Sequence, residues 1–297
     1  PVEDTDASGE TGSKLPTSVV VRVARKQGDF VRPSGEDYRA GDVLLNAGTR
    51  LRAQDIGLLA QLGMPKVRVY RKPRVAIFSS GEELLPIDAE LKQGKIFESN
   101  SYVLAPLVQG AGGDVIVLGI AKDNLEDVKA HLDRAVSEKA DLILSSAGVS
   151  VGAFDFLRDA VNSNGSLDFW KVNMRPGRPF TFGNYRNTAY IGLPGNPASA
   201  FVGFEIFVRP GLEKMAGANN WERHSIKALL TEDVESDGRE SFLRVGIEQK
   251  EETPNIYLTG HQGSGNLYSL VQAQGLLHVP AGKTKLTRGS LQKVLLL

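Results

Sequence analysis

The sequence contains no cysteine and only four histidines among its 297 residues. The lack of cysteine excludes disulfide bonds, thiolate metal sites and a cysteine nucleophile, and it is compatible with a reducing compartment. Four histidines also disfavour a histidine-rich metal centre. Basic and acidic residues number 35 each, so no overall charge favours nucleic acid or an anionic membrane as a partner. Any anion site must therefore be built locally.

Long apolar segments are also missing. No run reaches the length of about 18 apolar residues that a transmembrane helix needs. The opening residues, PVEDTDASGETGSK, are acidic and polar, which is the opposite of a secretory signal peptide. These features predict a soluble, cytoplasmic protein. Because the sequence starts without methionine and its first strand candidate has no earlier partner, we also expect an N-terminal portion of the protein to be missing from it.

The pattern of strands and helices divides the chain into four predicted segments. Residues 1–37 give a polar loop and a β run from Ser18, which we interpret as the remnant of an N-terminal β-rich domain. Residues 38–72 hold one amphipathic helix between two short strands, a linker segment too small for its own core. Residues 73–218 form a predicted α/β domain, and residues 219–297 a β-barrel domain.

The α/β domain is indicated by three runs, RVAIFSS, DVIVLGI and DLILSSA, which are apolar on both faces. Such runs are typical of parallel strands buried between helices, and helical stretches near 99–111, 124–138 and 153–163 separate them. The predicted fold class is therefore α/β, with an open, mostly parallel sheet and helices on both faces. The small barrel that follows is predicted from strand-length runs such as SIKALLTED and SLQKVLLL.

A strand pair, PFTFG and NTAYIGL, leads into a long apolar helix that should begin at Asn196. Pro197 suits the first position of this helix, because proline lacks an N–H that would be unpaired there anyway. Pro210 lies further along the same helix. We expect it to kink the helix or to end its regular part.

Four loops that follow predicted strands carry polar residues: SSGEEL, AKDN, SSAGVSVGAFD and LPGNPAS. In an open parallel sheet, ligands bind beyond the carboxyl ends of the strands. Glycine lets backbone N–H groups approach an anion, so these loops predict a site for phosphate or a pterin-like ligand, although each loop alone fits an ordinary turn. The predicted binding residues are Ser79, Ser80, Gly81, Ser145, Ser146, Gly148, Ser150, Pro194, Gly195, Asn196 and Pro197.

Three acids, Glu83, Asp123 and Asp155, are expected to face the same edge of the sheet. Carboxylates beside phosphates usually need Mg²⁺ between them. Capping of a helix is an equally good explanation of Asp155 from the residues alone. Neither GxxxxGK[ST] nor GxGxxG occurs, which disfavours a P-loop enzyme and a dinucleotide dehydrogenase. His261 fits a general base or a turn residue equally well.

The segment FWKVNMRPGRPFTFG places Lys171, Arg175 and Arg178 around a Pro-Gly turn. Two guanidinium groups held near prolines have limited freedom, and the planar fork of arginine suits tetrahedral oxyanions. The segment therefore predicts an anion site. A solvated surface turn is the alternative.

Taken in order, SSGEEL, SSAGVSVGAFD, FWKVNMRPGRPF, IGLPGNPASA and TGHQGS resemble the molybdopterin molybdenumtransferase family, the MoeA proteins and the gephyrin E domain. The resemblance extends from about Val31 to the C-terminus. It implies an α/β domain like that of molybdopterin adenylyltransferase, a β-barrel domain and a homodimer. It also implies a reaction in which adenylylated molybdopterin is cleaved with Mg²⁺ and molybdate, AMP leaves, and molybdenum reaches the dithiolene sulfurs. Molybdopterin adenylyltransferase is the upstream partner that it implies.

The resemblance also assigns roles by position. The implied catalytic residues are Asp155, Glu83, Asp123 and Lys171, with Asp155 and Glu83 as metal ligands. The implied molybdate-binding residues are Arg175, Arg178, Ser199, Arg244 and Ser264.

The chain departs from the family's usual pattern at a few positions. It has Ala147-Gly148 where Gly-Gly is common, Phe156 where Tyr is common, and arginines 175 and 178 where lysines are common. Three alternatives stay open at this point. They are a molybdopterin adenylyltransferase, a gephyrin-like scaffold without catalysis, and a pyrophosphatase of the competence-damage type.

Overall fold

The computed structural model of the protein describes residues 2–7, 17–146 and 153–297, the last range without the side chains of residues 153–155. By their packing, the residues form two compact units, Pro1–Ala47 and Gly48–Leu297. In the part of the chain that is described, no helix is both long and apolar enough to span a bilayer.

The described residues of the first unit, 2–7 and 17–47, contain little regular structure. Val2–Asp4 form a 3₁₀ turn, and Thr5 makes one antiparallel bridge with Val21. The strand predicted from Ser18 is therefore wrong, since only Val21 of that run pairs and its neighbours are exposed. A strand needs a neighbouring strand to pair with its backbone N–H and C=O groups, and a run of apolar residues does not by itself provide one.

Among the described residues, all of the longer elements lie in the second unit. In chain order, its helices and strands are α1 (Ala53–Gln61), β1 (Arg74–Ser80), β2 (Leu84–Leu85), β3 (Ile96–Phe97), α2 (Asn100–Gly110), β4 (Asp114–Ala121), α3 (Leu125–Ser137), β5 (Leu142–Ser146), α4 (Ala153–Asn162), β6 (Gly165–Phe169), β7 (Met174–Arg175), β8 (Thr181–Tyr185), β9 (Thr188–Leu193), α5 (Pro197–Gly203), α6 (Arg209–Met215), β10 (Ser225–Leu230), β11 (Val234–Glu235), β12 (Glu240–Glu248), β13 (Asn255–Leu258), α7 (Tyr268–Val271), β14 (Gly275–Val279), β15 (Lys285–Leu286) and β16 (Leu291–Leu296). The amphipathic helix predicted in the linker is α1, but the short strands predicted on either side of it do not form.

A six-stranded sheet lies at the centre of the α/β domain, in the order β4-β1-β5-β9-β8-β6. The first four strands are parallel, and β8 and β6 are antiparallel to their neighbours. The predicted open, mostly parallel sheet is thus confirmed. The edge strand β6 was not anticipated, because its residues GSLDF lack a β-branched apolar run.

Helices cover both faces of this sheet, because the strands are apolar on both sides. In β1, Val75 and Ile77 pack with α2, α5 and α6, whereas Ala76 and Phe78 pack with α3 and α4. All four side chains are fully buried. This alternation is the period of two that a strand imposes on its side chains.

The long helix after β9 begins at Pro197, one residue after the predicted start at Asn196, which is its N-cap residue, and Pro210 does not end it. The regular α-helix stops at Gly203, Phe204–Val208 form a π-helical turn, and α6 continues through Pro210. The wide turn changes the hydrogen-bond register just before the proline. Pro210 therefore occupies the first turn of a new segment, where its missing N–H matters least.

The C-terminal residues form a closed barrel of five strands, β10, β16, β14, β12 and β13, in which β13 pairs with β10 to complete the ring. Its interior is filled by apolar side chains that include Ala228, Val245, Ile256, Leu277 and Val294. The predicted small barrel is confirmed. The short ribbon of β11 and β15 lies outside the ring.

Strand β7 connects the barrel to the α/β domain. Met174 and Arg175 pair in parallel with Glu240 and Ser241 of β12. The Met174 side chain is buried against residues of both parts, Val202, Phe242 and Leu276. The segment that carries the predicted anion site is therefore fixed to the barrel by its backbone.

A buried ion cluster lies at the end of the long helix. Glu205, which is 3% exposed, accepts hydrogen bonds from Arg209 at 3.2 Å and from Arg223 at 2.6 Å. Arg209 also pairs with Glu213 at 2.8 Å. Arg223 precedes β10, so the cluster connects the helix to the entry of the barrel.

Replacement of Glu205 by alanine should lower the free energy of unfolding by about 3 kcal/mol, because it removes the acceptor of Arg223 and one of the two carboxylates that pair with the buried Arg209. Urea denaturation followed by circular dichroism measures this change. Lys250→Ala is the control, since its pair with Glu248 is half-exposed and should contribute about 0.5 kcal/mol or less. Equal effects of the two substitutions would contradict a stabilising role for the cluster.

Candidate functional site

A cleft of 660 Å³ lies beyond the carboxyl ends of β1 and β9 and is bounded on the other side by the barrel. Its walls come from the loop after β1, the residues that precede α2, the segment 174–179, the loop 194–199 and the barrel loop 262–264. This is the edge of the sheet at which the sequence predicts a ligand.

Many of the predicted site residues lie in the wall of this cleft. They are Ser80, Gly81, Glu83, Asp123, Arg175, Arg178, Pro194, Gly195, Asn196, Pro197, Ser199 and Ser264. The sheet topology explains this convergence, since parallel strands end at one edge. The barrel adds Ser264, whose hydroxyl accepts a hydrogen bond from Asn196 Nδ2 at 2.8 Å and whose carbonyl accepts one from Ala198 N–H at 3.0 Å.

Other predicted residues do not line the cleft. Ser145 is buried and hydrogen-bonds Tyr190 at 2.6 Å, and burial raises the pKa of Tyr190 so that this hydroxyl stays protonated. Lys171 lies over the ring of Trp170, with its Nζ 3.6 Å from the ring centroid. His261 accepts from the N–H of Gly263 at 3.3 Å, in keeping with a turn role.

Three predicted positions fall in or beside the loop after β5. Gly148 and Ser150 lie outside the described residues. Asp155 belongs to α4, but its side chain is not described. Their roles therefore stay predictions.

The acidic side of the cleft is formed by Glu83 and Asp123. Gly81 has a φ of +154°, which residues with a side chain rarely adopt, and a Cβ there would come within 2.7 Å of Glu83 Oε2 and would displace this carboxylate. Asp123 accepts the N–H of Glu82 at 3.2 Å, which fixes its direction. Neither carboxylate makes an ion pair with a described residue.

Two carboxylates of this kind fit the way in which Mg²⁺ is held in phosphate sites, by one or two protein carboxylates together with substrate oxygens. The described side chains contain no group of three or more His, Cys, Asp or Glu arranged for a metal.

A third carboxylate, Glu98, lies at the floor of the cleft and is only 4% exposed. It accepts hydrogen bonds from the hydroxyl of Ser79 at 2.8 Å and from the N–H of Ser101 at 2.8 Å, as well as from the Ser101 hydroxyl. Among the described residues it has no basic partner. Hydroxyl and amide donors thus satisfy this carboxylate.

The same network continues into neighbouring loops. Ser79 contacts Ser146 with an Oγ–Oγ distance of 3.0 Å. Asn100 donates to Ser146 Oγ at 3.0 Å and to the carbonyl of Gly195 at 2.7 Å. Ser79 and Ser146 are therefore positioning residues that hold the ends of β1 and β5, and Asn100 ties them to the loop after β9.

The basic side of the cleft carries Arg175, Arg178 and Arg239. Arg178 is exposed and has no ion pair with any described residue, so its guanidinium group is available to a ligand. Arg239 comes from the barrel, directly before β12. Arg239 was not among the residues predicted from the sequence.

Arg244 differs from these residues, because it is completely buried and does not line the cleft. Its guanidinium donates to Ser269 Oγ at 2.9 Å and to the carbonyl of Gly263 at 2.9 Å, while its Nη1 has no partner among the described atoms. Burial, and to a smaller degree the charge of Arg175, lowers the pKa of Arg244 to about 10. Arg244 therefore does not line the cleft, in contrast to the predicted direct contact with molybdate. It lies behind the cleft wall and holds the loop 262–264.

Glu98 and Arg239 were missed for different reasons. Glu98 lies 19 residues from Ser79 in sequence, so only the folded sheet brings them together. The sequence feature that could have identified Glu98 is the run FESN before a predicted helix, but this run resembles an ordinary helix start. Arg239 follows Asp237-Gly238, which resembles a surface turn.

Glu98→Ala should lower the free energy of unfolding by about 2 kcal/mol, because it leaves the buried Ser79 hydroxyl and the Ser101 N–H without an acceptor. Glu98→Gln keeps an acceptor oxygen in place and should have a smaller effect. Thermal and urea denaturation of both variants test this order. A larger loss for glutamine than for alanine would show that the network does not depend on the acceptor.

Comparison with known proteins agrees with this architecture. Family models match residues 1–63 (MoeA N-terminal region, domain I and II), residues 76–214 (probable molybdopterin binding domain) and residues 227–297 (MoeA C-terminal region, domain IV). A molybdopterin molybdenumtransferase of Nostoc is 38% identical over 278 residues, which are 91% of this chain and 64% of that protein. Molybdopterin molybdenumtransferase 2 of Mycobacterium tuberculosis is 36% identical over 297 residues, 98% of this chain and 71% of that protein.

Among solved structures, a molybdopterin biosynthesis MoeA protein from Pyrococcus horikoshii superimposes with a TM-score of 0.79 and 28% identity. The superposition covers 99% of this chain and 70% of that one. The chain thus corresponds to 64–71% of the length of these relatives.

Proposed function

Because the chain belongs to the molybdopterin molybdenumtransferase family of molybdenum cofactor biosynthesis, we propose that it transfers molybdenum from molybdate to adenylylated molybdopterin with release of AMP. The observation that carries this proposal is the separation of acidic and basic side chains onto opposite sides of the cleft. Free carboxylates line one side and arginines line the other, as a reaction between a diphosphate ester and an oxyanion requires.

The phosphates and pterin of the substrate bind along the loops after β1 and β9. Gly81 and Gly195 allow the backbone to approach the phosphates closely. Asn100 and the serines behind the loop hold this backbone in place, so little reorganisation is needed on binding. The apolar side chains of Leu84, Ile96 and Phe97 form the wall beside the loop after β1 and suit a flat ring system.

Molybdate binds on the basic side. Arg175 and Arg178 donate charged hydrogen bonds to its oxygens, and Ser199 and Ser264 lie in the same wall. The buried charge of Arg244 adds positive potential from behind. These groups keep the oxyanion beside the substrate, which is the positioning that the transfer needs.

Glu83 and Asp123 would hold Mg²⁺ together with phosphate oxygens, and Asp155 is proposed as a further ligand. When bound, the ion would neutralise the negative charge of the diphosphate. The protein's own contribution is to place Glu83 and Asp123 in the cleft wall, where the N–H of Glu82 holds the carboxylate of Asp123. Lys171 is proposed to act by its charge rather than by contact.

The resemblance to the family supports three further proposals. The chain works as a homodimer, it receives its substrate from a molybdopterin adenylyltransferase, and it acts in the cytoplasm. A net charge of zero gives no support to a nucleic acid partner.

The first test is AMP release from adenylylated molybdopterin with Mg²⁺, in the presence and absence of molybdate. We expect release that depends on molybdate and that Asp155→Asn abolishes. Liquid chromatography of the nucleotide products measures it. Release that is independent of molybdate would instead indicate a pyrophosphatase, and consumption of ATP to make the adenylylated substrate would indicate an adenylyltransferase.

Arg178→Gln should raise the molybdate concentration needed for half-maximal AMP release by about tenfold, because it removes a charged hydrogen-bond donor. Lys283→Gln is the control, since Lys283 is exposed on the barrel and does not line the cleft. A molybdate dependence of Arg178→Gln that equals that of the control would exclude Arg178 from the molybdate site.

A further inference from the structure

One side-chain hydrogen bond joins the loop after β9 to the barrel at the wall of the cleft. Asn196 Nδ2 donates to the hydroxyl oxygen of Ser264 at 2.8 Å, and both residues line the cleft. Asn196 is the N-cap residue of α5, yet its side chain makes no capping hydrogen bond with the described residues of that helix. The carbonyl of Ser264 caps α5 instead, because it accepts the N–H of Ala198 in the first turn at 3.0 Å. The asparagine side chain is thereby left to donate to the serine.

Both partners of this hydrogen bond are anchored through the residue that precedes them. The carbonyl of Gly195 accepts from the buried Asn100 Nδ2 at 2.7 Å. On the side of the barrel, the carbonyl of Gly263 accepts from Arg244 Nη2 at 2.9 Å. The backbone therefore fixes the distance between the amide and the hydroxyl.

The direction of this hydrogen bond determines what the hydroxyl of Ser264 can do. A serine hydroxyl offers one proton to donate and two lone pairs to accept. The NH₂ group of an amide only donates, so Asn196 takes up a lone pair of Ser264 and leaves its proton unused. Among the described residues no acceptor takes this proton, since the contact with Asn196 is the one hydrogen bond that the hydroxyl makes there. The proton is therefore available to an acceptor in the cleft.

We propose that Asn196 is a positioning residue, which directs the hydroxyl proton of Ser264 toward an oxyanion in the cleft. The inference rests on the proposed function, in which Ser264 lies in the wall that binds molybdate, and it deepens that function. Molybdate offers only acceptor oxygens, so it needs a hydroxyl whose proton is not already used. A chain from amide to hydroxyl to oxyanion also strengthens each hydrogen bond, because the donors polarise one another.

Asn196→Asp keeps the shape of the side chain but reverses the direction of this hydrogen bond. A carboxylate only accepts, so it takes the proton of Ser264 and still holds the barrel loop in place. We expect molybdate to bind about tenfold more weakly, through loss of a hydrogen bond to a charged ligand, while the melting temperature does not fall. A residue that merely fixed the loop would leave molybdate binding unchanged after this substitution.

The negative charge of the new aspartate is measured separately in a chain that carries Ser264→Ala. No hydroxyl remains there to be redirected, so Asn196→Asp reports only the repulsion of molybdate. We expect its effect to be clearly smaller in this background than in the presence of Ser264. Asn196→Ala should weaken binding by about two- to fivefold in the wild-type chain, because the hydroxyl then rotates freely, and should have no effect in the Ser264→Ala chain.

The chain provides a matched control in another asparagine–serine pair. Asn184 Nδ2 donates to Ser166 Oγ at 3.0 Å, between the paired strands β8 and β6. Both residues lie outside the described lining of the cleft. Asn184→Asp and Asn184→Ala should therefore bind molybdate as wild type does, and they report the general effect of changing such a pair.

The experiment is equilibrium dialysis of the whole chain and its variants against molybdate, with melting temperatures measured on the same samples. Two results would overturn the inference: wild-type affinity of Asn196→Asp for molybdate, or an equal effect of this substitution with and without Ser264. AMP release by wild type, measured in parallel with and without molybdate, separates the two levels. If wild type binds molybdate and releases AMP but the variants do not differ from it, only this inference fails. If wild type binds no molybdate and releases no AMP, the proposed function fails with it.

Discussion

The cleft depends on one short backbone pairing, that of β7 with β12. Met174 and Arg175 are part of the α/β domain in sequence, yet they hydrogen-bond as a strand of the barrel sheet. Consecutive residues of a strand point to opposite sides. Met174 therefore enters the apolar joint with Phe242 and Leu276, while Arg175 remains exposed at the cleft. These two residues therefore join the two domains and place the positive charge of Arg175 at the cleft. The pairing also brings Arg175 beside Arg239, the residue that precedes Glu240 in β12.

The fold, rather than the overall amino-acid composition, determines where the charged side chains of the cleft lie. The acids Glu83 and Asp123 come from loops after β1 and β4, whereas the arginines come from the joint and from the barrel. A protein with no net charge thereby has a local field of both signs. The two sides do not cancel, since the only cleft arginines with ion pairs among the described residues are held by Asp237, an acid that lies outside the lining. Separated charges of this kind can act on a ligand that spans the cleft.

The sequence predicted those features that local patterns determine. Strands that are apolar on both faces identified the parallel sheet, and the polar loops after them identified the edge at which Gly81, Glu83 and Asp123 lie. The sequence did not predict features that depend on a bonding partner distant along the chain. The run from Ser18 reads as a strand but has only a single bridge, and Glu98 reads as a helix start but is the acceptor of a buried network. Side-chain direction was also beyond reach: Arg244 was expected to contact molybdate, yet its side chain is buried against Gly263 and Ser269, on the side of β12 opposite to the barrel core.

The two arginines of β12 and its preceding turn illustrate how burial divides function between like residues. Arg244 is buried, so desolvation lowers its pKa and its donors hold Ser269 and the carbonyl of Gly263 rather than a ligand. Its charge still acts across the wall, because burial weakens the screening by water. Arg239 is about one third exposed, and its ion pair with Asp237 is correspondingly weak. Burial thus separates two residues of the same type: Arg244 holds the loop 262–264 from behind, whereas Arg239 forms part of the cleft wall itself.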